Sequence, residues 1–294
     1  MSTQSRISSS ITTEMSTEVF TDRLRRKSAR AHSLSDALVH LRLVSVLVDR
    51  VLYGKAIACF YFVLKRIEDD LEKLKVEEPR ISEFVEKSRR LYRASAIEKD
   101  LVFFLGPTWH SIAAKSSKPY AEKYLNHIEN SMPNRICLVI HAYTQFAAFA
   151  SGGRILARKL LINTLFSADE RGQHDIDSLP EGLHAFQYPQ NKKVDDLKAD
   201  MKAALNEVAT HLSPQEQSWL MDEHAMVFSL NNGIINSFKV GFMPSAKAYT
   251  SWMYRKVSSV VYAKNVFITV VVLTAGVLVT HHQMSTRRES RNSS

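Results

Sequence analysis

The run from His141 to Gly153 (His-Ala-Tyr-Thr-Gln-Phe-Ala-Ala-Phe-Ala-Ser-Gly-Gly) has no charged residue before Arg154. Ala147, Ala148, Ala150, Ser151, Gly152 and Gly153 leave one side of a helix nearly bare, so a flat ligand could lie against the backbone. Two adjacent glycines inside a helix cost roughly 2 kcal/mol relative to alanine. The competing reading is therefore that Gly152-Gly153 ends one helix and starts another. His32 follows five cations, Arg23, Arg25, Arg26, Lys27 and Arg30. A lone histidine at such a place usually packs or is solvated. Lys198 and Lys202 are spaced i, i+4 and can point at one pair of carboxylates, or both be solvated on a surface helix. Glu181 and His184 have the Glu-x-x-His spacing of a di-iron ligand pair. They lie between Pro180 and Tyr188-Pro189, in a loop, and the spacing occurs once. A di-iron bundle needs two such pairs on helices, so that chemistry is set aside.

These groups need helices to position them. The chain has 294 residues, 45% of them apolar, with only 9 Gly and 8 Pro. That composition favours long helices over a turn-rich β fold, and the expected class is all-α. Leu41, Val44, Leu47, Val48 and Val51 recur at helical spacing and predict one or two amphipathic helices over Leu38–Leu74, with Tyr53-Gly54 marking a turn. The acidic run Glu68-Asp69-Asp70 reads as a solvated face. Asp100 to Trp109 predicts a buried helix stopped by Gly106-Pro107, with Trp109 returning to the core. A long helix is predicted over Asn134–Phe166, and another over Val194–Leu205. A last one runs over Gln215–Phe238, with Ser213 as its cap and Pro214 at its first position.

Charge and composition divide the chain further. The net charge is +9, but from Lys239 onward eight Lys/Arg face the single acid Glu289, so that tail holds +7 and residues 1–238 hold +2. A nearly neutral body argues against a nucleic-acid partner. Residues 1–17 contain ten Ser/Thr and read as disordered, and residues 18–240 form the expected helical domain. Residues 241–264 are a basic linker whose Trp252 and Tyr254 suit a membrane interface. Residues 265–281 are read as a transmembrane tail anchor, followed by a basic tail, 282–294. The uncharged stretch Asn265–Thr280 is short of the roughly 20 residues of a full span, but Val257–Ala263 and a snorkelling Lys264 extend it. The expectation is a single-pass membrane protein with a cytosolic N-terminal domain, at the endoplasmic reticulum or, alternatively, the mitochondrial outer membrane. Cys59 and Cys137 sit in apolar helical patterns without metal-site spacing and read as buried thiols.

In this order the segments resemble the haem oxygenase family, in its tail-anchored eukaryotic, fungal-type form. The resemblance rests on four separated motifs. They are Leu24–His32 with Asp36 beyond it; Asp100 to Gly106-Pro107-x-Trp109; His141-Ala-Tyr-Thr through Ser151-Gly152-Gly153; and Tyr188-Pro189 followed by the Lys198/Lys202 helix. It implies a haem oxygenase-like multihelical domain holding haem (iron-protoporphyrin IX) as both substrate and cofactor. His32 would be the proximal iron ligand. Tyr143, Ala148, Gly152 and Gly153 would belong to a distal helix that kinks over the haem. Arg25, Lys198 and Lys202 would pair with the propionates, and Phe228 and Asn231 would line the pocket. The implied reaction is cleavage of haem to biliverdin, iron and carbon monoxide by O2, with electrons from NADPH through a cytochrome P450 reductase-type partner. Two other readings stay open: a haem sensor or buffer, and a peroxidase-like haem protein.

One departure bears on the choice. The family carries Gly-Asp where this chain has Ala148-Phe149. In the family that acid orders water for proton delivery during oxygen activation. Phe149 has no donor or acceptor, so slow ring opening or diversion to peroxidase-like chemistry is expected. Gln145, Ser151 and Asn231 are the polar side chains available to substitute.

Overall fold

The computed structural model describes residues 19–46, 49–162, 180–189 and 191–241. Among these residues there is no strand. The helices are α1 (Phe20–Val46), α2 (Arg50–Glu77), α3 (Ser82–Ser88), α4 (Ala94–Leu105), α5 (Trp109–Ser116), α6 (Lys118–Asn130), α7 (Leu138–Ile162), α8 (Val194–Thr210) and α9 (Pro214–Gly241). α2 and α7 form the centre, α2 against α4 and α6, and α7 against α2, α8 and α9. α1 lies on the outside, mainly along α9.

Several boundaries follow from local chemistry. Asp49 caps α2 by accepting from the backbone N–H of Val51 at 2.8 Å and Leu52 at 3.1 Å. At the start of α9 the Ser213 hydroxyl accepts from Glu216 N–H at 3.2 Å, while the Glu216 carboxylate accepts from Ser213 N–H at 2.8 Å. This is the reciprocal cap expected from Ser213-Pro214-Gln215-Glu216. α4 stops at Gly106, whose φ of +81° is open to glycine alone without strain, and Trp109 returns to the core edge-on to Tyr61 at 5.0 Å.

Three expectations change. Tyr53-Gly54 is not a turn: α2 runs straight through it. A Cβ on Gly54 would lie 2.8 Å from Leu105 and 2.9 Å from Phe104, so the glycine lets α2 and α4 approach closely. The acidic run is not a uniformly solvated face. Buried Glu68 accepts from the backbone N–H of Arg93 at 2.6 Å and Ala94 at 3.0 Å, capping α4 from a neighbouring helix. Asp70 is also buried and pairs with Arg66, and Asp69 alone of the three is exposed, paired with Lys65. Finally, Gly152-Gly153 does not divide two helices. α7 continues through both, and Ala150, Ala157 and Leu160 bury its inner face on either side. Tertiary packing there outweighs the local cost of the glycines.

Among the described residues one helical segment, Arg135–Gly153, is long and apolar enough to cross a membrane, but 67% of its apolar window is buried inside the domain. It is a core helix. The disordered N-terminus expected for 1–17 and the anchor expected for 265–281 lie outside the described residues.

Candidate functional site

α1 is fixed first. Phe20 and Leu24 are buried, and polar ties pin the rest of the helix along α9. Arg23 donates to Gln217 at 3.1 Å, Lys27 pairs with Asp222 at 2.6 Å, and the Ser35 hydroxyl bonds Asn232 Oδ1 at 2.6 Å. Between the last two ties stands His32, with its side chain 60% exposed. Its Nδ1 lies 3.2 Å from the Asp36 carboxylate one turn on, which orients the ring and leaves Nε2 to a ligand.

A row of rings crosses α9 from α1 to α7. His32 meets Phe228 edge-on at 5.4 Å, Phe228 lies 5.2 Å from His224, and His224 lies 6.4 Å from Tyr143 of α7. Sequence reasoning placed His32, Phe228 and Tyr143 here but missed His224. Its signal was available, because His224, Phe228 and Asn231 share one face of α9 at i, i+4, i+7. His224 is buried, hydrogen-bonds to the Leu24 backbone and has an Nδ1 with no partner. Burial pushes its pKa down to about 4.

On α7, Ala148, Ser151 and Gly152 face outward and are exposed. A Cβ on Gly152 would meet nothing within 4 Å, whereas one on Gly153 would lie 2.8 Å from the Phe186 ring. The two glycines therefore do different work. Gly152 bares the backbone on the open side, and Gly153 admits an aromatic wedge on the closed side.

The lysine pair spans the mouth. Lys198 of α8 reaches Ser151 Oγ of α7 at 3.2 Å and Asp195 at 2.8 Å. Lys202, one turn on, reaches Asp22 of α1 at 3.1 Å. Arg25 is on the same turn of α1, close enough for its charge to act on Tyr143. Burial is the main cause that raises the Tyr143 phenol pKa, with Asp22 adding and Arg25 opposing. Lys202 thus reaches the turn of α1 that carries Asp22 and Arg25, whose charges act on Tyr143, and Lys198 reaches α7 one turn away.

Phe149 points the other way. Its ring stacks on Phe186 at 6.5 Å and meets Phe60 edge-on at 6.3 Å. Of the three polar substitutes, Ser151 is taken up by Lys198, and Gln145 and Asn231 bond one another. Gln145 Nε2 donates to Asn231 Oδ1 at 2.8 Å and to the Tyr124 hydroxyl at 3.1 Å. His184, of the discarded Glu-x-x-His spacing, is held by buried Asp100, which accepts from its Nδ1 and from the backbone N–H of His184 and Ala185, each at 2.8 Å. That contact is structural.

Among the described residues the domain is all helical, with the α7 backbone open at Gly152, an imidazole oriented by Asp36, and lysines of α8 reaching α7 and α1. The comparisons say which such domain it is. Residues 18–237 match the family described as "Heme oxygenase", and the chain belongs to that family. A protein named "Heme oxygenase" from Rhodella violacea is 26% identical over 223 residues, covering 75% of this chain and 87% of that protein. "Heme oxygenase 1" of Homo sapiens is 27% identical over 185 residues, covering 63% of this chain and 59% of that one. Among solved structures, heme oxygenase 2 from Chlamydomonas reinhardtii, determined without heme, superposes with a TM-score of 0.64 at 30% identity, over 78% of this chain and all of that one. Heme oxygenase-1 from Synechocystis, in complex with heme, superposes with a TM-score of 0.60 at 21% identity, over 83% of this chain and all of that one, which supports the fold.

The buried imidazole carries a pH consequence. The His224 pKa falls from 6.5 when unfolded to about 4 when folded. Below pH 6.5 the unfolded chain therefore takes up a proton that the folded one refuses. Stability should decline as pH drops from 6.5 towards 4, by about 1.4 kcal/mol per unit from this group. Denaturation midpoints measured across that range should fall less steeply in His224→Leu than in the parent; parallel profiles would refute the assignment.

Proposed function

We propose that this chain binds haem between α1 and α7 and cleaves it oxidatively to biliverdin, iron and carbon monoxide. O2 would be the oxidant, and a cytochrome P450 reductase-type partner would supply electrons from NADPH. The observation that carries the reading is the open backbone at Gly152 on α7, with an oriented His32 on α1. Haem fits these residues. A planar macrocycle needs close backbone approach, which Ala148 and Gly152 allow. Its iron needs a neutral nitrogen, which His32 Nε2 supplies. Its two carboxylates need cations at the rim, where Arg25, Lys198 and Lys202 stand. Bound haem supplies the oxygen chemistry, and the protein binds, orients and shields it. Lys198 reaches Ser151 and Lys202 reaches Asp22, so both ammonium groups stand where propionates would compete for them.

A specific observation supports a second reading of the rate. Phe149 sits among hydrocarbon rings, and the Gln145 and Asn231 amides satisfy each other. Neither arrangement offers a carboxylate to order water over the distal face. We therefore expect slow ring opening, with part of the flux diverted to peroxidase-like oxidation. If ring opening is absent altogether, the chain is a haem-binding sensor or buffer.

The location is proposed on sequence grounds: a tail-anchored eukaryotic, fungal-type member, with the domain on the cytosolic side. The support is the uncharged stretch Asn265–Thr280 and the acid-free basic flank from Lys239 to Lys264. An anchor of this kind raises the local concentration of domain and reductase on one membrane. The endoplasmic reticulum is favoured, with the mitochondrial outer membrane as the alternative.

With NADPH and reductase, the haem-loaded chain should yield biliverdin, whereas His32→Ala should lose the histidine-ligated spectrum and regain it with added imidazole. A His32→Ala protein with an unaltered spectrum would remove His32 from its role. Phe149→Asp combined with Ala148→Gly, assayed per haem-loaded molecule, should raise biliverdin per NADPH and lower guaiacol oxidation. The slow-opening idea fails if the parent already couples NADPH fully to biliverdin and the double variant does no better. A chain ending at Ser237 should leave membranes on carbonate extraction while the full chain stays; retention of the shortened chain would contradict the anchor.

A further inference from the structure

Behind the Gln145–Tyr124 contact, on the side away from the cleft, three side chains from three helices converge. They are His127 of α6, His141 of α7 and Glu223 of α9, and their ligand atoms all lie within 4.8 Å of one another. His141 Nε2 is 2.8 Å from Glu223 Oε1, and His127 Nε2 bonds the same oxygen. The Tyr124 hydroxyl holds His141 Nδ1 at 2.9 Å, and Gln145 in turn holds Tyr124. His141 is wholly buried and the Glu223 side chain is 5% exposed, while His127, at 13%, reaches the surface.

The plain interpretation is a hydrogen-bonded His–Glu–His triad. Charge argues for more. Burial favours raising the Glu223 pKa, but the bonds from His141 and His127 outweigh it and keep the carboxylate ionised. Burial keeps His141 neutral. The cluster therefore places two imidazole nitrogens against one buried carboxylate oxygen. His141 has its far nitrogen oriented by Tyr124, as ligating histidines do.

We propose that His127, His141 and Glu223 form a binding site for a first-row divalent transition metal, with zinc and ferrous iron the ions that suit the donor set. Two imidazoles and one carboxylate are an established three-ligand set for such ions, and the solvent side at His127 leaves a place for water as the fourth ligand. Bonds of about 2.0–2.1 Å in a tetrahedral site put donor atoms about 3.3 Å apart. The His141–Glu223 contact must therefore open by about half an ångström from its hydrogen-bonded length. Each imidazole moves its proton from Nε2 to Nδ1, so no net proton is lost. That of His141 then points at the Tyr124 oxygen, which can accept as well as donate. The three ligands are none of the haem-facing residues, although Tyr124 and Gln145 connect them to Asn231, and the site does not depend on ring opening.

The full chain, stripped with chelator and without haem, should be titrated calorimetrically with Zn2+ and, under anaerobic conditions, with Fe2+. One equivalent of at least one ion should bind, and His127→Ala and Glu223→Gln should each weaken it by about tenfold or more. His127→Ala, at a partly exposed position, keeps the test sound if Glu223→Gln folds poorly. Haem affinity should be the same in His127→Ala and the parent. Absence of saturable binding for both ions, or binding unchanged in the variants, would overturn the proposal and leave a hydrogen-bonded triad.

Discussion

A planar ligand can be gripped between two helices only if something else sets their separation before it arrives. Here α9 does so. It ties α1 along its length through Gln217, Asp222 and Asn232, and it packs against α7 on its other side. The rings of Phe228 and His224 fill the distance between His32 and Tyr143. Contacts among the helices themselves thus hold the spacing, and a ligand placed there as proposed would be spared that ordering cost.

The legible part of the sequence was the part whose function is local. A capping box, a Gly-Pro stop and a histidine followed by an acid one turn later all depend on residues near in the chain, and the structure shows each in place. The misread residues take their meaning from distant partners. Gly54 looked like a turn because its reason for being glycine, the Leu105 side chain, lies on another helix. Glu68 looked solvated because the N–H groups it caps belong to α4. The His127–His141–Glu223 cluster was overlooked because its members come from helices far apart in the chain.

The interior of the domain carries more polar chemistry than its composition suggests. A connected path of side-chain hydrogen bonds runs from Asn231 through Gln145, Tyr124 and His141 to Glu223 and His127. Such networks favour one arrangement strongly when every member is satisfied. An amide at position 145 joins the path but passes protons poorly, so the network serves to position side chains rather than to conduct charge.

Phe186 links two parts of the fold. Asp100 clamps the turn that carries it, and its ring presses on Gly153 and stacks on Phe149. An acid at position 149 would therefore have to lie against two aromatic rings. In any lineage where an aromatic residue fills such a space first, packing that adapts around it makes an acid there costlier to introduce. The history of such a lineage would have a ratchet in it, with the order of substitutions, and not only their identity, deciding which active sites stay within reach.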